Sequence, residues 1–136
     1  MRLLLLAEGD AERWDSWSGS TKSVVDQLRA VGHDVATFDV DLYGPARWMV
    51  AARTVSPDRR RWGVRYHLAN PGFRARSRHA ERAIAEHSGR LDCVLQIGAT
   101  FGPSARLPYA VFCDSNIVMS LEGSAFGVSE IGRAHV

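Results

Sequence analysis

The residues with the clearest capacity for chemistry form one short segment near the start of the chain, Trp17-Ser18-Gly19-Ser20-Thr21. A helix N-terminus has unpaired N–H groups and a partial positive charge, and a glycine lets a ligand approach the backbone closely. The segment lies between a short apolar run, typical of a buried strand, and an apolar stripe with helical spacing. It is therefore a candidate anion-binding site. The alternative is that Ser20 or Thr21 serves only as a helix N-cap.

The elements that must position this segment alternate between buried strands and amphipathic helices, which predicts an α/β fold with a Rossmann-like parallel sheet flanked by helices. The spacing predicts strands at 2–7, 35–40, 91–97 and 108–113, and helices at 22–31, 46–54, 57–69 and 73–87. Pro57 is expected at the first position of the third helix, and Trp48, Met49 and Ala52 are expected to face inward from the second.

Other candidate site residues follow the third and fourth predicted strands. Gly98 comes after the third strand, and Asp114 and Asn116 come after the fourth. Open parallel sheets bind ligands at the carboxyl ends of their strands, so we expect these residues and Gly19 to converge on one rim. Asp114 and Asn116 have the alternative role of capping a following short helix.

Charge is concentrated in the middle of the chain. The segment from Arg47 to Arg90 contains eleven arginines and three acidic residues, which gives a local excess of eight positive charges. The net charge of the whole chain is only +2. Two explanations remain open. The arginines could contact an anionic partner such as a phosphorylated lipid or a membrane surface, or they could form a solvated helix face.

The length and composition of the chain limit the kinds of protein that it can be. A chain of 136 residues with 46% apolar content is sufficient for one domain with a sizeable core. The first apolar run is too short for a membrane span and lacks a signal-peptide cleavage pattern. Cys93 and Cys113 lie in apolar runs and are interpreted as small buried side chains in a reducing, cytoplasmic compartment. No Cys/His spacing predicts a metal site, and we expect no cofactor.

With these residues in order, the chain from Met1 to about Phe126 resembles the amino-terminal half of a family 4 glycosyltransferase with the GT-B fold. The segments that carry the resemblance are Trp17-Ser18-Gly19-Ser20, Gly32-His33-Asp34-Val35, the arginine-rich helices, Leu95-Gln96-Ile97-Gly98-Ala99 and Tyr109-Ala110-Val111-Phe112-Cys113-Asp114.

The resemblance implies one half of a two-domain enzyme. In that family the amino-terminal domain mainly receives the acceptor, and its glycine-containing first loop approaches the diphosphate of the nucleotide-sugar donor. Gly19, with Ser18 and Ser20, would have that role here. The carboxy-terminal domain holds most of the donor site, including a paired-glutamate motif that this sequence does not match, so catalytic residues stay unassigned and we expect no turnover from this chain alone.

The resemblance also implies the partners. The donor would be a nucleotide-diphosphate sugar, and the acceptor would be anionic or lipid-linked, with peripheral contact at the inner membrane face as an option. Nucleic acid is not among the expected partners.

The last six residues, Ile131-Gly132-Arg133-Ala134-His135-Val136, are what ATC GGA AGA GCA CAC GTC encodes, a string similar to a common sequencing adapter. We therefore expect residues 1–130 to be a truncated acceptor-side domain and 131–136 to be a non-native tail. A genuine tail of this composition is the alternative, and different codons in the encoding DNA would favour it.

Two other functions are compatible with parts of this sequence. An NAD(P)-binding Rossmann domain would use Asp39, twenty residues after Gly19, to bind a ribose, but G-x-G-x-x-G is absent. A receiver-like signalling module would use Glu8 and Asp10 as its acidic pocket. However, the third predicted strand ends without a phosphoacceptor aspartate.

Overall fold

The computed structural model describes residues 1–15, 19–104 and 106–113. In chain order, the elements are β1 (Arg2–Ala7), α1 (Ser20–Ala30), β2 (Asp34–Asp39), α2 (Gly44–Arg53), α3 (Arg59–Leu68), α4 (Asn70–His87), a 3₁₀ turn (Ser88–Arg90), β3 (Cys93–Ile97) and β4 (Tyr109–Phe112). Among these residues, none of the helices combines the length and the apolarity that a membrane span requires.

The four strands form one sheet in the order β2-β1-β3-β4, and all neighbouring pairs are parallel. At the centre of the sheet, Leu4 is in register with Ala36 on one side and Val94 on the other. The α/β prediction with a Rossmann-like parallel sheet is therefore confirmed. Because β2 lies on one side of β1 and β3 on the other, the chain reverses direction across the sheet between β1 and β3, where open α/β sheets leave a crevice.

The leucine run of β1 is buried on both faces because successive side chains of a strand point in opposite directions. Leu3 and Leu5 pack with Val25 of α1 and Ile97 of β3 on one face. The other face has its own core, formed by Leu4, Leu6, Val40, Ala80, Ile84, Val94 and Phe101. Helix α4 supplies two of these residues, so the sheet lies between α1 and α4. This layering explains why β1 is continuously apolar.

Helix α1 begins two residues earlier than expected and ends where glycine predicts. Gly19 is its N-cap residue with a φ of 79°, and no side chain caps the first turn. At the other end, Gly32 has a φ of 87°, and its N–H donates to the Arg29 carbonyl at 3.0 Å while the His33 N–H donates to the Leu28 carbonyl. These paired bonds form a Schellman motif, which satisfies the last carbonyls of the helix.

The inward positions predicted for α2 are wrong. Trp48 and Met49 are 73% and 51% exposed and Ala52 is also exposed, whereas Val50 is buried. The apolar spacing alone left the choice of face open, and the packing of α2 against α4 turns Val50 inward.

The start of α3 also differs from the prediction, because Asp58 rather than Pro57 sets it. The Asp58 carboxylate accepts hydrogen bonds from the backbone N–H groups of Arg60 and Arg61 at 2.9 and 3.4 Å. Asp58 is therefore the N-cap residue, and Pro57 precedes the helix.

The cysteines lie in different environments. Cys93 is half-buried and packs against the core on the α1 face of the sheet. Cys113 follows β4 and is exposed, so the prediction that both thiols are buried is wrong for Cys113. Strand β4 ends the described sheet, and the side chains near its end are solvent-facing.

Candidate functional site

The candidate site lies at the sheet rim, which we define as the carboxyl ends of the strands and the loops that follow them. Glu8 and Gly9 follow β1, Asp41 follows β2, and Gly98 follows β3. Since β1 and β3 are adjacent and parallel, their following loops flank the crevice at the reversal point.

Four charged or titratable side chains meet beside this rim, and we call them the Glu8–Arg76 cluster. Arg76 Nε lies 2.5 Å from Glu8 Oε1 and 3.8 Å from Asp41 Oδ1. His67 Nδ1 lies 3.8 Å from the same Glu8 oxygen. The Arg76 side chain is fully excluded from solvent, and that of Glu8 is 13% exposed. The cluster therefore joins the loops after β1 and β2 to helices α3 and α4.

The junction between α3 and α4 makes room for the Arg76 guanidinium. Arg76 lies on the buried stripe of α4, one turn after Gly72 and one turn before Ala80. Its guanidinium carbon lies 5.2 Å from the Tyr66 ring centroid, and its Nη1 donates to the His67 carbonyl at 3.5 Å. A Cβ at Gly72 would lie 2.4 Å from the Tyr66 carbonyl oxygen, so only glycine allows this close approach.

The chemical role of Arg76 follows from its burial. A buried arginine that contacts two carboxylates holds those loops in place, and a ligand outside the protein does not reach it. The Glu8 side chain is 13% exposed, but its Oε1, which faces Arg76, is buried. Within the cluster, Arg76 is therefore a positioning residue.

Asp39 organises the turn after β2. Its carboxylate accepts hydrogen bonds from the Gly9 N–H at 2.8 Å, the Asp41 N–H at 2.8 Å and the Tyr43 hydroxyl at 2.6 Å. The hydrogen bond to Asp39, with burial as a smaller cause, raises the pKa of Tyr43 to about 12. Three internal donors therefore occupy the carboxylate that an NAD(P)-binding domain would use to bind a ribose.

Helix α1 begins after a glycine N-cap and has no side-chain cap. Ser20 and Thr21 do not cap the helix through their side chains, so the alternative role as an N-cap is wrong. Thr21 is fully buried, and its Oγ1 has no hydrogen-bond partner among the described residues. Gly19 is also buried, and a Cβ there would lie 2.9 Å from Trp14 Cε3. The φ of Gly19, 79°, lies in the left-handed region, so the N-cap position itself favours glycine.

A buried amide holds the loop after β3. Gln96 Nε2 donates to the carbonyls of Gly98 and Phe101 at 2.6 and 2.8 Å, and Gln96 Oε1 accepts a hydrogen bond from the Tyr109 hydroxyl. Gly98 has a φ of 90°, which favours glycine, and its N–H donates to the Phe112 carbonyl at 3.0 Å. The side chain of Gln96 thus determines the path of the Gly98 loop.

A groove of about 620 Å³ lies between α2 and α3. Its lining residues are two glycines, three aromatic residues, three basic residues and an alanine: Gly44, Arg47, Trp48, Ala51, Arg59, Trp62, Gly63, Tyr66 and His67. The indole Nε1 of Trp62 donates to the Ala51 carbonyl at 3.1 Å, which fixes the ring across the groove. His67 belongs to both the groove and the Glu8–Arg76 cluster, so the groove adjoins the rim.

No protein-family model, curated protein or solved structure matches this chain. Among the described residues, no group of three or more His, Cys, Asp or Glu side chains is arranged to hold a metal ion.

The predicted site residues divide into two groups. Gly19, Ser20, Thr21 and Gly98 are described, and the parallel order of β1 and β3 brings the helix start and the Gly98 loop to the same edge of the sheet. The remaining candidates lie outside the described residues, as does the expected tail at 131–136: they are Trp17, Ser18, Asp114 and Asn116. Their convergence on the rim stays a prediction.

Sequence reasoning missed the Glu8–Arg76 cluster. Both explanations for the arginines place them at the surface, yet the Arg76 side chain is fully buried and that of Glu8 beside it is only 13% exposed. A signal for Arg76 was present, because residues 72, 76, 80 and 84 recur at one-turn spacing and the other three are apolar or glycine. No comparable pattern marks Glu8, since its partner is distant in sequence.

Proposed function

We propose that this chain is the acceptor-side domain of a glycosyltransferase that moves a sugar from a nucleotide-diphosphate donor to an acceptor. The observation that carries the proposal is the position of Gly19. It begins a helix without a side-chain cap, at the edge of a parallel sheet where such folds bind ligands. The resemblance assigns donor-diphosphate contact to the same residue.

The proposed chemistry requires little covalent participation from this domain. During transfer, the bond from the sugar to the diphosphate breaks as a bond to the acceptor oxygen forms, and negative charge develops on the leaving diphosphate. The N–H groups of the first turn of α1 would stabilise that charge without reorganisation, and the domain would hold the acceptor in position. The opposing domain implied by the resemblance would supply most donor contacts.

The same proposal gives a role to the exposed arginines and includes a location for the protein. Arg47 and Arg59 line the groove beside the rim, where an anionic or lipid-linked acceptor would enter. We place the enzyme in the cytoplasm, with peripheral contact at the inner membrane face if the acceptor is lipid-linked. The basic helices would favour such contact with anionic lipids.

The two rival functions find less support. Three internal hydrogen bonds occupy Asp39, which an NAD(P)-binding domain would need for the ribose. In a receiver-like module, Glu8 would belong to a solvent-accessible acidic pocket, but here it pairs with the buried Arg76. The strand order is compatible with all three functions, so it does not separate them.

A binding experiment on the 136-residue chain tests the proposal. UDP, GDP, inorganic diphosphate and NADH are titrated separately while the backbone amide signals of Ser20 and Thr21 are followed by NMR. We expect UDP or GDP to perturb these signals with weak affinity, of about millimolar dissociation constant, because the resemblance assigns most donor contacts to a second domain. NADH that binds more tightly than both, or diphosphates that leave these amides unchanged, would overturn the proposal.

The chain offers a matched control for this experiment. Gly19 and Gly32 flank the same helix with similar positive φ angles, but only Gly19 lies at the rim. Gly19→Ala should weaken diphosphate binding about tenfold, whereas Gly32→Ala should leave it unchanged. Equal losses in the two variants would point to helix strain rather than to a contact with the ligand. Because a Cβ at position 19 would also lie 2.9 Å from Trp14, binding that is restored when Trp14→Ala is added to Gly19→Ala would point to displacement of the Trp14 ring and count against the contact.

The implied second domain has its own test at the level of the gene. Sequencing of the genomic locus should show different codons after about position 130 and a reading frame that continues into a domain with the paired-glutamate motif. A genomic sequence that encodes residues 131–136 as given and then stops would contradict this part of the proposal.

A further inference from the structure

We propose that the groove between α2 and α3 binds a small phosphorylated ring compound, with the phosphate between Arg47 and Arg59 and the ring against the aromatic side chains. Sugar phosphates and mononucleotides share this chemistry. That such a ligand is the acceptor rests on the proposed function, but its binding to the groove does not.

The size of the groove is the first support. Its volume of about 620 Å³ lies within the range of small-molecule sites. Gly44 and Gly63 line it, and a Cβ added at either position would meet no atom within 4 Å. The absence of side chains at these two positions leaves the space open.

Gly63 is the second support, because neither the helix geometry nor the packing of α3 requires a glycine at this position. It lies in the middle of α3, where glycine costs about 1 kcal/mol relative to alanine. At Gly72, by contrast, a Cβ would collide with the Tyr66 carbonyl, so packing explains that glycine. No contact within the described residues explains Gly63, and a ligand in the groove does.

The aromatic residues form a wall that is partly preorganised. The hydrogen bond from Trp62 to the Ala51 carbonyl holds its indole, and Tyr66 packs over the buried Arg76 guanidinium at 5.2 Å. Trp48 completes the lining and is 73% exposed, which is unusual for so large an apolar side chain. Aromatic faces of this kind bind planar or ring-shaped ligands by stacking.

The charges of the groove specify an anion. Arg47, Arg59 and His67 line it, and no acidic residue does. Neither Arg47 nor Arg59 has an ion-pair partner among the described residues, whereas neighbouring Arg61 lies 3.6 Å from Asp58. Guanidinium groups match phosphate oxygens in a bidentate manner.

The position of the phosphate within the groove follows from its neighbours. His67 lies at the end of the groove that adjoins the Glu8 carboxylate, at 3.8 Å. Glu8 and Asp41 share the single positive charge of Arg76, so the two carboxylates leave an excess of negative charge that would repel a phosphate there. The anion is therefore placed beside Arg47 and Arg59, and the ring of the ligand points toward the rim.

The test measures direct binding to the 136-residue chain by calorimetry and by NMR of the tryptophan indole N–H signals. The probes are glucose 6-phosphate, UMP, glucose, inorganic phosphate and vesicles of phosphatidylglycerol. We expect glucose 6-phosphate or UMP to bind at least about tenfold more tightly than inorganic phosphate or glucose. The comparison of the two phosphorylated compounds decides between a sugar ring and a base.

Matched variants on α3 separate the groove from the rest of the helix. Gly63→Leu fills the groove and Arg59→Gln removes one charge, and each should weaken binding about tenfold. Val64→Leu and Arg60→Gln alter exposed neighbours that do not line the groove, and they should leave binding unchanged. Gly63→Ala is the second variant at this position, for the case that Gly63→Leu does not fold. Alanine favours the helix, and its smaller side chain should weaken binding less than that of Gly63→Leu.

Several results would overturn the inference: no binding of either phosphorylated ring compound, inorganic phosphate bound equally well, or equal losses in the control variants. Binding to vesicles alone would assign the groove to a membrane surface instead. Failure here is distinguishable from failure of the proposed function, because Gly19→Ala should reduce diphosphate binding at α1 and leave the groove ligand bound.

Discussion

Arg76 Nε lies 2.5 Å from Glu8 Oε1, and the arginine side chain is completely buried. This contact joins the middle of α4 to the first residue after β1. A second contact at 3.8 Å brings in Asp41 after β2. The Arg76 guanidinium group therefore fixes the loops after β1 and β2 through these two carboxylates.

Replacement of Arg76 by methionine should destabilise the protein strongly. Methionine occupies a similar volume but leaves the Glu8 carboxylate largely buried without its cation, and loss of one partner of a buried pair costs about 3–5 kcal/mol. Urea denaturation measures the change in the free energy of unfolding. Arg78→Met, an exposed position on the same helix, should change it by less than about 0.5 kcal/mol.

The double variant Glu8→Gln with Arg76→Met shows whether the pair itself is responsible. Removal of both charges should restore part of the stability, with a coupling energy of about 0.5–3 kcal/mol. A double variant as unstable as the sum of the two single variants would show that Glu8 and Arg76 act independently.

Two glycine substitutions should change stability in opposite directions. Gly72→Ala would place a Cβ 2.4 Å from the Tyr66 carbonyl oxygen, and we expect a loss of about 1–3 kcal/mol from the forced backbone shift. Gly63→Ala meets open space within a helix and should gain up to about 1 kcal/mol. Thermal melts of both variants test this, and a stable Gly72→Ala protein would show that α3 and α4 can separate at no cost.

Replacement of Gln96 by leucine should loosen the loop after β3. The variant leaves the Gly98 and Phe101 carbonyls and the Tyr109 hydroxyl without their partner, at a cost of about 1–3 kcal/mol. Hydrogen exchange of the Gly98 and Gly102 amides should become faster. Gln27→Leu, at an exposed position of α1, serves as the control and should leave these exchange rates unchanged.

Ionisation of Tyr43 should destabilise the protein only at high pH. Its pKa is raised from 10.0 to about 12, first by the hydrogen bond to Asp39. A raised pKa in the folded state contributes stability that is complete below pH 10 and is lost as the pH rises through 12. Ultraviolet titration of tyrosinate in the native protein and in Tyr43→Phe should locate this transition.

Asp39→Asn is the companion variant for that titration. It removes the carboxylate charge while it keeps an oxygen that can accept hydrogen bonds, so the pKa of Tyr43 should move back toward its ordinary value. Tyr109, whose pKa burial raises to about 12, should titrate as before. A Tyr43 transition that is unchanged in Asp39→Asn would exclude Asp39 as the cause.

Much of the architecture could be predicted from local patterns. The leucine run of β1 indicated a strand covered on both faces, Gly32 indicated the end of α1, and Asn70-Pro71-Gly72 marked the boundary between α3 and α4. These features depend on neighbours within a few residues, so the sequence contains them directly. The four strands lie within about two residues of their predicted bounds.

The helix faces were less predictable. Trp48 and Met49 have the apolar character of core residues, yet the docking of α2 on α4 turns them outward. Helical spacing defines which residues share a face, but it does not say which face meets another element. That choice depends on the shape of the partner surface.

By itself, the sequence determined the alternation of strands and helices, the glycine at the start of α1 and the basic charge of the middle helices. Only the tertiary structure decided that Arg76 is buried against Glu8 and that Trp48, Trp62 and Tyr66 line one groove. The physical reason is the distance along the chain between the residues that interact. Helix starts and strand burial follow from neighbouring residues, whereas a buried ion pair requires the relative placement of segments that meet only when the sheet and its helices pack.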